Sequence, residues 1–252
     1  MPLFKRLFGK APPPPPAFDA PLRPNQPAFI IGDLHGCLRQ MQDLQAQMQT
    51  KDPDALQIYV GDYVDRGDHS KDVLDTLYAR RDDPQIICLR GNHEDMLLRF
   101  LEEPATKGAR WIRYGGLNTL GSYGISGIPP NSEGAILEET AAKLKEAMGL
   151  HLIHWLSTLP TTWTSGNLTV VHAGADPALP MALQAEQTLK WGHPDFLSTP
   201  RSDGHWIAHG HTIVDEATAA DGRIAVDTGA YATGRLTAAY VTPTTLEFLQ
   251  AG

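Results

Sequence analysis

With 252 residues, 42% hydrophobic and 20% charged, the chain can bury a globular core and is too polar for a membrane bundle. A formal charge of −8 argues against a nucleic-acid backbone as the main partner, so no nucleic acid is expected. Only Cys37 and Cys88 are present, without a CxxC pair, which fits a reducing, cytoplasmic location.

Residues 1–25 open with MPLFKRLFGK, followed by five consecutive prolines from Pro12 to Pro16, and by Pro21 and Pro24. Such a run favours extended polyproline geometry and builds no core, which predicts a flexible tail over 1–25 and one domain over 26–252. The basic start lacks the apolar stretch and cleavage site of a secretory signal; its Phe- and Leu-containing tip could touch a membrane surface or a partner, but is too short to bind alone, and a disordered terminus is the expectation. No apolar run reaches spanning length, so no transmembrane segment is expected.

From residue 27 the pattern is strand, glycine turn, helix, three times over. PAFIIGD, LQIYVGD and QIICLRGN read as strands, and CLRQMQDLQAQMQ, KDVLDTLYARR and EDMLLRFLEE as amphipathic helices. Repeated crossovers predict parallel strands in an α/β fold. Residues 104–132 break the rhythm with glycines and aromatics. Helical spacing returns at 133–148 and 151–158, then LTVVHAG and HWIAHGHTIV read as strands. The segment RIAVDTGAYATGRLTAAYVTPTTLEFLQ predicts antiparallel strands closing a second sheet.

Each of the first three strands ends in a polar cluster: Gly32-Asp33-Leu34-His35-Gly36, Gly61-Asp62-Tyr63-Val64-Asp65-Arg66-Gly67 and Gly91-Asn92-His93-Glu94. In open α/β sheets, adjacent strand ends converge on a ligand site. Helix capping is the bland explanation for Asp33, Asp62 and Asn92. It does not explain Asp-x-His or Asp-x-x-Asp-Arg. Two later strand ends add His172-Ala173-Gly174 and His209-Gly210-His211-Thr212. Together these groups make up a metal-site inventory of imidazole, carboxylate and amide oxygen.

In that order the motifs GDLHG, GDYVDRG, GNHE, HAG and GHT resemble the phosphoprotein phosphatase branch of the metallophosphoesterases, and bacterial serine/threonine protein phosphatases in particular. The resemblance spans Asp33 to Thr212. It implies a calcineurin-like α/β sandwich, two mixed β-sheets flanked by α-helices, with two divalent metal ions at the sheet ends. Manganese is the preferred metal, with iron and zinc as alternatives. Carried over, Asp33 and His35 hold the first ion, Asp62 bridges both, and Asn92, His172 and His211 complete the second.

The mechanism so implied is direct attack of a metal-bridging hydroxide on phosphorus. Arg66 grips two phosphate oxygens. His93 is not needed as a ligand, because Asn92 already reaches the metal, and becomes the general acid, with Asp65 holding its ring. The family's second phosphate-gripping arginine, in bacterial members often within Trp-x-Arg, is missing from Trp191-Gly192-His193. Either His193 replaces it, or Arg201 or another residue reaches in, or His193 is a surface loop residue. Arg113 and Tyr114 could line the substrate groove or simply pack over the sheet. His209 is read as a supporting residue and Cys37 as a small packing residue.

The expected activity is phosphomonoester hydrolysis on a phosphoprotein or phosphopeptide. The nearest alternative is symmetrical diadenosine tetraphosphate hydrolysis, whose enzymes typically read Val-Ala-Arg-Gly and GNHD where this chain has Val64-Asp65-Arg66-Gly67 and GNHE; Asp65 therefore tilts the choice toward protein phosphatase. A metal-stabilised binding protein without catalysis is a third alternative.

Overall fold

The computed structural model describes residues 18–252. The tail's proline run lies outside the described residues. Three parallel strands form first, Ala28–Ile31 (β1), Leu56–Tyr59 (β2) and Ile86–Cys88 (β3), alternating with helices Leu38–Lys51 (α1), Ser70–Ala79 (α2) and Asn92–Glu102 (α3). α1 buries Met41, Leu44 and Met48, the three-and-four spacing that puts one stripe against a sheet. All four residues of β1 are buried, because both of its faces are covered: Phe29 and Ile31 meet the helices, while Ala28 and Ile30 face the second sheet.

The glycine- and aromatic-rich stretch after α3 is not a loop. It folds into Pro104–Trp111 (α4), a π-helical turn over Ile112–Gly116, and Leu117–Ser122 (α5). Pro104 sits at the first helical position, where its missing N–H costs nothing. Gly108 lets α4 approach α3 closely, since a Cβ there would lie 2.9 Å from the Phe100 ring. What reads in sequence as loop composition is tight helix packing. Helices Ala135–Met148 (α6) and Leu150–Thr158 (α7) complete this layer.

The second sheet contains Thr162–Ser165 (β4), Leu168–Val171 (β5), Trp206–His209 (β6), Thr218–Ala220 (β7) and Arg223–Ala225 (β8), with Glu186–Trp191 (α8) between β5 and β6. Its order is β4-β5-β6-β8-β7, with β5, β6 and β8 parallel. After the short helix Ala230–Thr233 (α9), the last strands Leu236–Val241 (β9) and Leu246–Ala251 (β10) do not join this sheet, contrary to the sequence expectation. β9 pairs antiparallel with β1, giving the first sheet the order β10-β9-β1-β2-β3. Alternation predicts strands but not the sheet they enter, and the buried faces Ala239 and Val241 match the inner face of β1.

The two sheets pack through Ile30, Ile58, Val60, Val170, Ile224 and their neighbours, all fully buried. Each such side chain contributes about 1.5–3 kcal/mol. The fold is therefore the α/β sandwich of two mixed sheets flanked by helices.

Residues 18–25, expected as part of the tail, are docked on the second sheet. Phe18 meets the Trp206 ring edge-on at 5.2 Å, and Trp206 Nε1 donates to Ala20 O at 2.8 Å. Arg23 N donates to Asn167 Oδ1 at 2.7 Å, and Asn25 N to Ser165 Oγ at 2.9 Å. Extended backbone of this kind needs partners rather than a periodic pattern, so composition conceals its packing.

Candidate metal centre

The ends of β1, β2, β3, β5 and β6 meet at one edge of the sandwich. The turns there are unusually tight. Among the described residues, six non-glycine residues have positive φ, and five are His35, Asp62, Asp65, Arg66 and His211. Left-handed backbone at such residues costs of order 1–3 kcal/mol each and persists where surrounding contacts over-determine it. The contacts are visible: Glu94, fully buried, accepts from the N–H groups of Gly91 at 3.0 Å, Asp62 at 2.9 Å and Tyr63 at 2.8 Å. Burial, together with the Asp62 charge, nonetheless pushes its carboxyl up to about 7.

The capping explanation fails. The cap position of α3 is Gly91, with Asn92 already inside the helix, and those of α1 and α2 are Cys37 and His69. Asp33 and Asp62 therefore stand at the cap position of none of the three helices. Asp62 instead turns its carboxylate into the cluster. Oδ1 accepts from His93 N at 2.9 Å, while Oδ2 lies 3.4 Å from His172 Nε2 and 3.7 Å from His35 Nε2. Asp33 accepts from His211 N at 3.1 Å through both oxygens.

The imidazoles are oriented from behind. His35 Nδ1 faces Val64 O at 2.7 Å and His172 Nδ1 faces Val60 O at 3.1 Å, so each donates N–H to a carbonyl and turns a bare Nε2 inward. Burial lowers His35 to about 3 and His211 to about 4, keeping both neutral. His172 Nε2 then sits 2.8 Å from Asn92 Oδ1, two acceptors facing each other. Burial, with Asp227 and Asp62 beside it, raises the Asp33 carboxyl. Converging lone pairs and crowded carboxylates fit cations. His35, Asp62 and His93 form one group whose ligand atoms lie within 4.8 Å of one another, and Asp62, His172 and His211 form a second. Asp62 belongs to both.

His93, rather than Asp33, appears in the first group, but its ring is already engaged. Nδ1 lies 2.6 Å from Asp65 Oδ2, and Nε2 accepts from Arg66 Nη2 at 3.1 Å. Asp65 is fully buried and also accepts from Trp111 Nε1 at 3.0 Å and Thr119 Oγ1 at 2.7 Å. Burial alone would lower the His93 pKa, but the Asp62 charge and the Asp65 hydrogen bond outweigh it and raise the ring above its ordinary value. Arg66 lies over the Tyr231 ring at 4.7 Å, and the same ring meets His35 at 5.2 Å.

The remaining sequence candidates separate from this cluster. His193 is half-buried in the loop after α8, with Nε2 3.7 Å from Asp176 and Nδ1 accepting from Asp195 N at 3.2 Å. Arg201 is bound by Asp203 and by the carbonyls of Asp176 and Leu179, which fixes it in a loop. Arg113 and Tyr114 are exposed on the π turn, and Arg113 lines a separate cavity with Ile112, Asn131 and Glu133. His209 is buried, packs edge-on to Phe196 and faces Gly210 O, a supporting place. Sequence reading missed Glu94, Thr119, Tyr231 and Asp227, and gave Trp111 no role beyond its place in the aromatic stretch after α3. The E of GNHE was the one available signal, since the others reach the site through tertiary packing.

A family model described as calcineurin-like phosphoesterase matches residues 27–215. The asymmetrical bis(5'-nucleosyl)-tetraphosphatase PrpE of Bacillus mycoides (strain KBAB4) is 28% identical over 236 residues, covering 82% of this chain and 87% of that protein. A crystal structure provisionally named a diadenosine tetraphosphatase superposes with a TM-score of 0.63 at 20% identity, over 94% of this chain and 99% of that one. A Saccharomyces cerevisiae serine/threonine phosphatase with similarity to human PP5 superposes at 0.60 and 18% identity, over 90% and 80%. At those identities the two structures establish a shared fold.

Proposed function

The chain belongs to the calcineurin-like phosphoesterases and is a metal-dependent phosphatase, and from that premise we propose that it hydrolyses dinucleoside tetraphosphates asymmetrically, releasing a mononucleotide and a nucleoside triphosphate. The observation that supports this substrate is the PrpE relative, matched over more than four-fifths of both chains. In this reading Asp33 and His35 would hold one divalent ion and Asn92, His172 and His211 the other, with Asp62, which belongs to both groups of converging ligand atoms, shared between them; manganese is the preferred metal. When bound, such a pair supplies the nucleophile from water at neutral pH and neutralises phosphate charge.

The protein's own residues do the rest. His35 and His172 are held in one tautomer by backbone carbonyls, so ligand atoms stand ready before anything binds. Arg66 donates to His93 Nε2 in the free protein. A phosphate anion competes for that planar guanidinium and takes it in bidentate fashion. Freed from that contact, His93 Nε2 takes up a proton from solvent and passes it to the leaving oxygen, while Asp65 supports the imidazolium through Nδ1.

The Asp65–His93 pair favours a second reading, phosphomonoester hydrolysis on a phosphoprotein. A serine or threonine alkoxide needs that proton, whereas a nucleotide phosphate leaves with little help. Side-by-side kcat/KM values for diadenosine tetraphosphate and a phosphoserine peptide, with chromatography of the nucleotide products, decide between them. We expect preference for the nucleotide with unequal products. A clear preference for the peptide overturns the proposal in favour of the second reading, and two nucleoside diphosphates would overturn the asymmetry.

A further inference from the structure

A cluster of cations beside the site takes no part in the roles above. Met96, Arg99, Lys107, Arg110 and Trp191, from α3, α4 and α8, line a cavity of about 90 Å³. No carboxylate lines it, in a protein of net charge −8. Arg99 is occupied by Asp95 at 3.1 Å, and Lys107 comes only within 3.9 Å of Glu103. Among the described residues, Arg110 has no carboxylate partner. Its guanidinium lies over the Trp191 ring at 4.8 Å, and the buried Trp191 Nε1 meets no acceptor. The lining is rich in donors, and Asp95 reaches it only through Arg99.

Its position ties it to the candidate centre from two sides. Met96 lies three residues beyond His93 on α3, about 4.5 Å further along the axis. Trp191 leads into Gly192, where a Cβ would lie 4.0 Å from Ala173, the residue after His172. The chain has no arginine within Trp191-Gly192-His193, and His193 and Arg201 are engaged elsewhere. Arg110 brings a guanidinium to that tryptophan from α4 instead.

We propose that this cavity is an accessory phosphate subsite in which Arg110, backed by Lys107, holds a non-scissile phosphoryl group of a polyphosphate chain. The identity of the whole substrate rests on the dinucleotide reading above; the subsite rests on the cation cluster. A planar guanidinium and a lysine beside it suit phosphate oxygens, and a polyphosphate carries several such groups within a short reach.

The test uses p-nitrophenyl phosphate hydrolysis as reporter, at buffered free divalent ion, inhibited by orthophosphate or by tripolyphosphate. The wild type is expected to bind tripolyphosphate at least about tenfold more tightly, the scale of one charge-assisted hydrogen bond. Arg110→Glu and Lys107→Glu should each collapse that ratio, and Arg110→Lys should retain part of it. Lys143→Glu makes the same charge change on α6, where Lys143 pairs with Glu139, and should keep the ratio. An unchanged ratio in Arg110→Glu with native circular dichroism overturns the subsite, as does an equal fall in Lys143→Glu. With diadenosine tetraphosphate, Arg110→Glu should raise KM about tenfold or more at similar kcat. A protein that leaves this nucleotide intact refutes the substrate reading, while the inhibition ratio still decides the subsite.

Discussion

Asp62 divides its two oxygens between backbone and cluster. Oδ1 fixes the start of α3 through His93 N, while Oδ2 faces the rings of His35 and His172. Asp62→Asn keeps the shape and removes the charge, so in the proposed assignment it should lower metal content at least about tenfold by elemental analysis. His172→Ala should do the same, since it strips a neutral nitrogen from the second ion; full occupancy in either variant would remove that residue from the ligand set. His93→Ala should retain both ions and lose far more activity on alkyl phosphates than on p-nitrophenyl phosphate, whose leaving group needs little protonation. Equal losses on both substrates, or lost metal, would sink the proton-donor role. Asp33, His35 and Asp62 were legible as site candidates because each lies just past a strand end beside a glycine, and His172 because it directly follows β5 with Gly174 two residues on. Glu94 was visible but mute, because only tertiary structure reveals that it holds three backbone N–H groups.

At the scale of elements, the π turn between α4 and α5 sets the second half of the Asp62–Gly67 loop. Gly115, with φ 113°, accepts from Arg66 N at 3.3 Å, and a Cβ there would lie 2.7 Å from that nitrogen. Trp111 stacks on Phe100 at 4.5 Å and donates its indole N–H to Asp65. Gly115→Ala is therefore expected to displace Arg66 and raise KM for any phosphate substrate several-fold. Trp111→Phe keeps the stacked ring and leaves a buried carboxylate short of one donor, a loss of about 1–3 kcal/mol in denaturant unfolding. A Gly115→Ala enzyme with unaltered KM would detach this turn from substrate binding. The strands and their crossover helices were readable from period alone. This turn was not, because glycines that serve close packing look identical in sequence to glycines that break helices.

At the scale of the molecule, the candidate centre draws its residues from both sheets: β1, β2 and β3 lead to Asp33, Asp62 and Asn92, and β5 and β6 to His172 and His211. In the proposed assignment, ions bound there would favour the folded state by mass action, about 2.7 kcal/mol at a hundredfold excess over Kd. A chelator should lower the melting temperature by roughly 5–10 °C, and added manganese should restore it. Identical melting of stripped and loaded protein would show that the sheets dock without help from the ions. Among the described residues no helix is long and apolar enough to cross a membrane.

The place of β1 carries a consequence for how the chain is made. Its register with β2 closes within some thirty residues, but its other edge waits for β9, on the order of 200 residues downstream. A ribosome delivers the first three strand ends early, while one flank of the central strand still lacks its hydrogen-bonding neighbour. Until residues 236–251 emerge, that flank is an open template for pairing with another chain, the hazard of nascent β-proteins. Late completion of the first sheet thus makes the nascent chain, rather than the finished enzyme, the stage at which misassembly is most exposed.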